Sequence, residues 1–330
     1  MPTAERRLRS DLEDYLRALA RCGRANRETV VQYRREITNA LKALADAGME
    51  STLRNIGEEE VDYLRREAWA DEAPATQRWK LAILNGFLKY YGNNVIDRMM
   101  IAWPQGSRMK VDWLTPEETL RILDAARGVE RIVVHLELRL GLRRVEVKRL
   151  KCSDIQYVWA GGECLGYINV HGKGRGGGKW RTIAFAPDTE AEVKAWEEER
   201  ERIIEEALSQ RPDQEVPQQF VIYSQHGRLG SYKDTALDRI VARAAQRAGI
   251  DRPVSNHTLR RTCGRNLHYA GVAIEEIAAL FGHADTKQTM EYLGLTVEDL
   301  RKAQEKGYSF LREVRKGVRT SPLQAIRVCR

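Results

Sequence analysis

Long apolar runs are missing from this 330-residue chain. None approaches the ~20 residues a membrane span needs, and mean hydropathy is -0.53. A chain lying outside the membrane is therefore expected. No apolar segment follows Met1-Pro-Thr-Ala-Glu-Arg-Arg, so no secretory signal is expected either. Cysteine is sparse: five occur, at 22, 152, 164, 263 and 329. The count is odd and no pair is spaced as CxxC, which argues against a disulfide framework or a zinc finger and for reduced intracellular thiols. There is no carboxylate cluster with metal-ligand spacing, no internal repeat and no low-complexity tract. Negative charge is the minority: 47 Asp and Glu face 55 Lys and Arg, for a net charge of +8. Both halves of the chain share this bias, which favours a polyanionic partner, most simply nucleic acid.

The length suggests two domains. Over residues 1–92 apolar positions step by three or four. Val30, Tyr33, Ile37, Leu41 and Leu44 form one stripe; Leu81, Leu84, Leu88 and Tyr91 form another after Pro74. Almost nothing alternates with period two, so this region reads as all-α. Residues 93–112 are rich in turn formers and read as a linker. In the second half Thr115, Pro116 and Glu118 form a helix start with a capping box. Helices are predicted over 116–127, 129–140, 188–209, 232–248, 257–270, 273–281 and 285–292. Strands are predicted over 163–170 and 180–186, flanking the glycine-rich turn Gly172-Lys-Gly-Arg-Gly-Gly-Gly-Lys. In the acidic helix 188–209, Val193, Trp196, Ile203 and Ala207 face inward. The fold class is mainly α with a small antiparallel β-sheet: an all-α N-terminal domain and a mixed α+β second domain (113–308). A basic tail (309–330) ends the chain.

Four fragments of the second half carry chemistry. They are Gly141-Leu-Arg143-Arg-Val-Glu146, Lys173 in the glycine-rich turn, His257-Thr-Leu-Arg260, and Gly282-His283 followed nine residues later by Tyr292. Each alone is ordinary; an Arg–Glu pair at i,i+3 is usually a surface salt bridge. Together they suit one task. Two guanidinium forks and an imidazole can surround the non-bridging oxygens of a phosphate. A hairpin lysine can protonate a leaving alkoxide. A tyrosine can attack phosphorus and hold it covalently. Such a site needs no metal.

Read in order, LGLRRVEVKRLKCSDI, HGKGRGGGKWRTIAF, NHTLRRT and LFGHADTKQTMEYL resemble the tyrosine recombinase (phage integrase) family. WLTPEETLRIL resembles the opening of that family's catalytic domain, and residues 8–92 more loosely its helical core-binding domain. The resemblance fades after about residue 308. It implies that Arg143 and Arg260 clamp a scissile phosphate and that His283 adds a hydrogen bond to it. It implies further that His257 assists proton handling, Lys173 is the general acid for the departing 5′-hydroxyl, and Tyr292 forms a 3′-phosphotyrosyl link. Glu146 would support the site. The sequence departs from the family's pattern in three places. Arg144 stands where an apolar residue is usual, Arg261 where a histidine is common, and the longer hairpin makes Lys179 a competitor of Lys173. Tyr269 and Tyr308 do not keep the spacing from His283 and are read as packing residues.

The resemblance implies site-specific cleavage and rejoining of double-stranded DNA at specific recombination sites, by a tetramer passing through a Holliday junction. No cofactor is expected. The two domains would close around duplex DNA as a clamp, binding it in a salt-sensitive way, in a cytoplasmic, nucleoid-associated setting. Arg78, Lys80, Lys233 and Arg239 are candidate DNA contacts, and the tail is a candidate for exchange between subunits. Xer-type dimer resolution and mobile-element integration remain open alternatives. A type IB topoisomerase or telomere resolvase, and a DNA-binding regulator without catalysis, are the competing readings.

Overall fold

The computed structural model describes residues 2–49, 56–103, 112–160, 163–172 and 180–283, with Thr286 and Thr289. These residues form two compact units that divide between residues 103 and 112.

The first unit contains α1 (Pro2–Arg21), α2 (Arg27–Asp46), α3 (Glu58–Tyr63), α4 (Pro74–Tyr90) and α5 (Val95–Arg98). One wider π turn, Leu64–Ala68, continues α3. No strand occurs among its described residues, as the sequence pattern implies. Helix α2 starts where the Asn26 side chain accepts from the Thr29 N–H at 2.8 Å. Pro74, read from the sequence as a breaker, is the first residue of α4, where its missing N–H costs nothing. Ile37, Leu44, Leu81, Leu84 and Leu88 are buried; Val30, Tyr33, Leu41 and Tyr91 pack half-buried against them. Both predicted stripes are therefore core faces.

The second unit opens with α6 (Pro116–Ala125), α7 (Val129–Leu138) and α8 (Arg144–Arg149). Strands β1 (Ile155–Ala160), β2 (Glu163–His171) and β3 (Trp180–Ala184) follow, forming an antiparallel sheet in that order. Then come α9 (Pro187–Gln210), the hairpin β4 (Ile222–Gln225) and β5 (Arg228–Ser231), α10 (Asp234–Arg247), α11 (Asn256–Tyr269) and α12 (Ile274–Phe281). The predicted helices recur within a few residues of these bounds; 285–292 lies outside the described residues. The capping box is present, with Thr115 N–H donating to Glu118 at 2.8 Å and Glu118 N–H to Thr115 Oγ1 at 3.2 Å. On α9, Val193, Trp196 and Ala207 are buried and Ile203 is half-buried.

Three strands went unread in the sequence. β1 lacks a strict alternation: Val158 and Trp159 are adjacent and both exposed. β4 and β5 are four residues each and turn through His226 and Gly227, both at positive φ (52° and 71°). Two consecutive left-handed residues suit a two-residue hairpin, but His-Gly is a weaker signal than Asn-Gly.

Helix α7 is the axis of the unit. Ile132, Val133, Val134, Leu136 and Leu138 are all buried, because α6, α9, α10 and α11 each pack against it. A helix apolar nearly all round is a core helix. Glu137 shares this burial and is 0 % exposed. Neither of its oxygens has a hydrogen-bond partner among the described residues. Burial, reinforced by Asp238 and opposed by Arg144 and Arg260, holds its carboxyl well above the ordinary range. A carboxyl raised on folding takes up a proton that the unfolded chain releases, so its stability contribution falls as pH rises above the unfolded value. Glu137→Met is therefore expected to stabilise the protein by roughly 1–4 kcal/mol at pH 8, and by less at pH 5. Urea titrations at the two pH values check this; an equal change at both would contradict it.

Gly141 makes the turn between α7 and α8 at φ +62°. A Cβ there would lie 2.4 Å from Cε1 of Phe281. Gly141→Ala therefore combines a left-handed backbone with a clash against a buried ring. About 2–5 kcal/mol of destabilisation is expected, read as a lowered urea midpoint. A change below about 1 kcal/mol would show that the ring moves aside freely.

Candidate active site

The site is built where three segments distant in sequence converge on one carboxylate. After Gly141 the chain enters α8 with Arg143 as its cap. Glu146, in the first turn, accepts from the Arg143 N–H at 2.8 Å and from Arg143 Nη1 at 2.8 Å. Its side chain is 1 % exposed. Arg181 of β3 reaches the same carboxylate with both ends of its fork, at 3.0 and 2.8 Å. Arg260 Nη1 stands 3.8 Å away. Burial alone would push the Glu146 carboxyl up. The hydrogen bonds and charges of Arg181 and Arg143 outweigh it and hold the group below the ordinary range.

Arg260, on α11, is 1 % exposed. It donates to the Gly141 carbonyl and through Nη2 to the Phe281 carbonyl at 2.9 Å. Its guanidinium lies 4.2 Å from the Phe281 ring centroid. The backbone around Gly141 and the end of α12 are thus tied to one side chain. α12 ends at Gly282 in the left-handed conformation, which turns the chain and delivers His283 to the pocket. His283 Nε2 is 3.4 Å from Arg260 Nη2, and Nδ1 is 2.8 Å from Thr289 Oγ1. The hydroxyl can give or take a proton in that bond, but the guanidinium can only donate, so facing Arg260 the ring accepts at Nε2 and carries its proton on Nδ1. Desolvation, then Arg260, Arg143 and Arg181, lower the His283 pKa to about 4. At neutral pH the ring is uncharged and able to donate one N–H.

Arg143 is more open than Arg260, its side chain 23 % exposed. His257 stands one helical turn before Arg260 on α11 and is exposed at the rim. Desolvation and the charges of Arg261, Arg260, Arg144 and Arg143 lower its pKa. Arg144 turns away from the pocket. Its Nη1 binds Asp238 of α10 at 2.8 and 2.6 Å, and Asn256 donates to the same carboxylate at 2.6 Å. Lys148 pairs with Asp234 at 2.8 Å. These acids on α10 explain how a charge is tolerated where the family usually has an apolar residue.

The structure therefore brings together Arg143, Glu146, Arg260 and His283, with His257 at the edge. Lys173, Lys179, Tyr292 and Tyr308 lie outside the described residues. Tyr269 is exposed and carries the Arg265 guanidinium 4.6 Å from its ring centroid. Of the four candidate DNA contacts, Arg78, Lys233 and Arg239 are exposed. Lys80 is not on offer: it pairs with Glu72 and sits 5.3 Å from the Trp69 ring centroid. Sequence reasoning missed Arg181. A signal was there: it alternates with buried Ile183 on one face of β3, and a charge on a strand's inner face requires a partner.

Among the described residues no group of three His, Cys, Asp or Glu side chains could hold a metal ion, and no helix is long and apolar enough to cross a membrane. The phage integrase family model matches residues 112–298. Tyrosine recombinase XerA of Thermococcus kodakarensis is 30% identical over 196 residues, 58% of this chain and 61% of its own length. XerH recombinase in a post-cleavage complex with palindromic difH substrate superposes with a TM-score of 0.64 at 19% identity. That match covers 88% of this chain and 84% of the other. A lambda integrase dimer bound to a core site gives a TM-score of 0.61 at 19% identity, covering 86% and 94%. With the family model spanning more than half of its length and the clustered pocket lying within that span, this chain belongs to the phage integrase family, the tyrosine recombinases.

Proposed function

We propose that this protein is a site-specific DNA strand transferase working through a 3′-phosphotyrosyl intermediate. The observation that carries the reading is the convergence of Arg143 and Arg260 on Glu146, with neutral His283 beside Arg260. Two guanidinium groups provide forked donors for the non-bridging oxygens of a phosphodiester, whose charge grows during transfer. His283, uncharged, adds an N–H from Nε2 in the tautomer in which the Thr289 hydroxyl donates to Nδ1. Tyr292 attacks phosphorus through its phenol oxygen, its proton leaving toward His257. The P–O5′ bond breaks, and the Lys173 ammonium donates a proton to the departing 5′-oxygen, which leaves as a hydroxyl. The phosphotyrosine ester keeps the bond energy, so a second strand's 5′-hydroxyl reverses the step and no external energy source enters.

The same reading assigns residues 1–92 as a core-binding domain, 93–112 as the linker, 113–308 as the catalytic domain and the basic tail as an element exchanged between subunits. The working form is a tetramer on DNA, exchanging strands through a Holliday junction, in the nucleoid of the cytoplasm. Arg78, Lys233 and Arg239 are the exposed candidates for DNA contacts.

The test is covalent capture. A pool of duplexes of random sequence, each carrying one nick, is incubated with the full chain. The released short strand diffuses away and blocks religation. A protein–DNA species surviving detergent and heat, enriched for sequences with inverted repeats, is the expected result. DNA binding by mobility shift with no covalent species would instead support a regulator that binds without cleaving.

A further inference from the structure

Arg181 is a charged side chain of the pocket to which the strand-transfer reading gives no contact with the phosphate. Its side chain is 9 % exposed, and three of its five N–H groups, at least one from each nitrogen, are bonded within the protein. Nη1 and Nη2 bind the two Glu146 oxygens, and Nε donates to the Leu280 carbonyl at 2.8 Å. A Cβ on Gly282 would lie 3.2 Å from its Cδ, so the side chain also lies along the turn that delivers His283. A guanidinium with all three nitrogens anchored in this way is braced on Glu146 and the Leu280 carbonyl.

What it does follows from counting charge. Arg143, Arg181 and Arg260 surround a single carboxylate, leaving two positive charges in excess for a phosphate. Without Arg181 the excess falls to one. The Glu146 carboxylate, shut away from water, would then seek its missing partner. Arg143 is already bonded to the carboxylate at 2.8 Å, so the cation with room to move closer is Arg260, whose Nη1 is 3.8 Å from Oε2. Closing that gap draws Arg260 off the Gly141 carbonyl and the Phe281 carbonyl, and with it the support of the clamp.

We propose, resting on the strand-transfer reading above, that Arg181 is a positioning residue that saturates Glu146 and so keeps Arg143 and Arg260 available to the scissile phosphate. The distinctive consequence is that removing the carboxylate's charge compensates for removing Arg181. In Arg181→Ala the unsatisfied carboxylate does the damage; Glu146→Gln neutralises it while keeping an oxygen to cap the Arg143 N–H.

The experiment compares wild type, R181A and R181A/E146Q on the nicked duplex that traps the wild-type chain. Adduct formation is timed with protein in excess, site affinity is measured by mobility shift, and folding is followed by thermal midpoint. R181A is expected to form adduct roughly 10- to 100-fold more slowly, the usual cost of losing a group that orients a site residue, with an unchanged Kd. R181A/E146Q should recover at least ten-fold of that loss. A residue that merely braced β3 against α12 would show no such recovery, and a double variant as slow as R181A overturns the proposal. If R181A does not fold, R181K and R181K/E146Q replace it with the same criterion, since lysine keeps the charge but not the fork. A wild-type chain that forms no adduct on any duplex defeats the strand-transfer reading; wild-type adduct without recovery defeats this inference alone.

Discussion

Tyr292→Phe is expected to abolish the covalent adduct, a loss of at least about 10⁴-fold in cleavage rate, while leaving affinity for the DNA site unchanged. The substitution removes one oxygen and nothing else. Without it there is no group to bond to phosphorus, whereas the arginine clamp and every phosphate contact persist. Other phenols are poorly suited to substitute. Tyr157 donates to Glu197 at 2.9 Å; burial and that carboxylate raise its pKa well above the ordinary phenol value, which makes its oxygen harder to deprotonate. Tyr269 has its ring face against Arg265. Tyr269→Phe should therefore cleave like wild type. The measurement is denaturing electrophoresis of the trapped complex with both variants in parallel. An adduct with Tyr292→Phe, or its loss with Tyr269→Phe, would move the nucleophile elsewhere.

Arg260→Ala should show a different signature, with catalysis and stability falling together. The catalytic loss is expected to be roughly 10³-fold, the scale for removing a preorganised donor from a developing oxyanion. The stability loss comes from burial. Arg260 is almost wholly enclosed, and its removal leaves the Gly141 and Phe281 carbonyls without their guanidinium donors and takes a cation from beside Glu146. Breaking one side of such a buried network costs about 3–5 kcal/mol. Arg260→Lys should regain little of either, because one ammonium cannot span two carbonyls while lying flat on the Phe281 ring. Arg143→Ala is the control. Its side chain is partly open to solvent, so it should lose comparable cleavage with a much smaller change in urea midpoint. Cleavage within ten-fold of wild type for Arg260→Ala would remove it from the clamp. A matching stability loss in Arg143→Ala would mark both as structural.

The helical stripes were legible because their period is local. Ile37 and Leu44, or Val193 and Trp196, lie on one face whatever the rest of the chain does. The cap at Thr115 is equally local. β1 escaped notice because its exposed edge places Val158 and Trp159 side by side without alternation. The His226-Gly227 hairpin escaped because its strands are only four residues long. Lys80 read as a free surface cation, yet it is held by Glu72, eight residues away, through a turn that no period reveals.

The site divides in the same way. The order and spacing of Arg143, Glu146, His257, Arg260 and His283 came from the sequence alone, since motif spacing is a property of the chain as written; Lys173 and Tyr292 lie outside the described residues. Only the tertiary structure decided that Glu146 is shared among three arginines, that Arg260 binds backbone carbonyls on both sides of the pocket, and that Arg181 belongs there at all. Those contacts close loops of up to 119 residues. Which partner a buried charge finds across such a distance is set by the packing of β3, α8, α11 and α12 together, and by the cost of leaving any of them unpaired out of water.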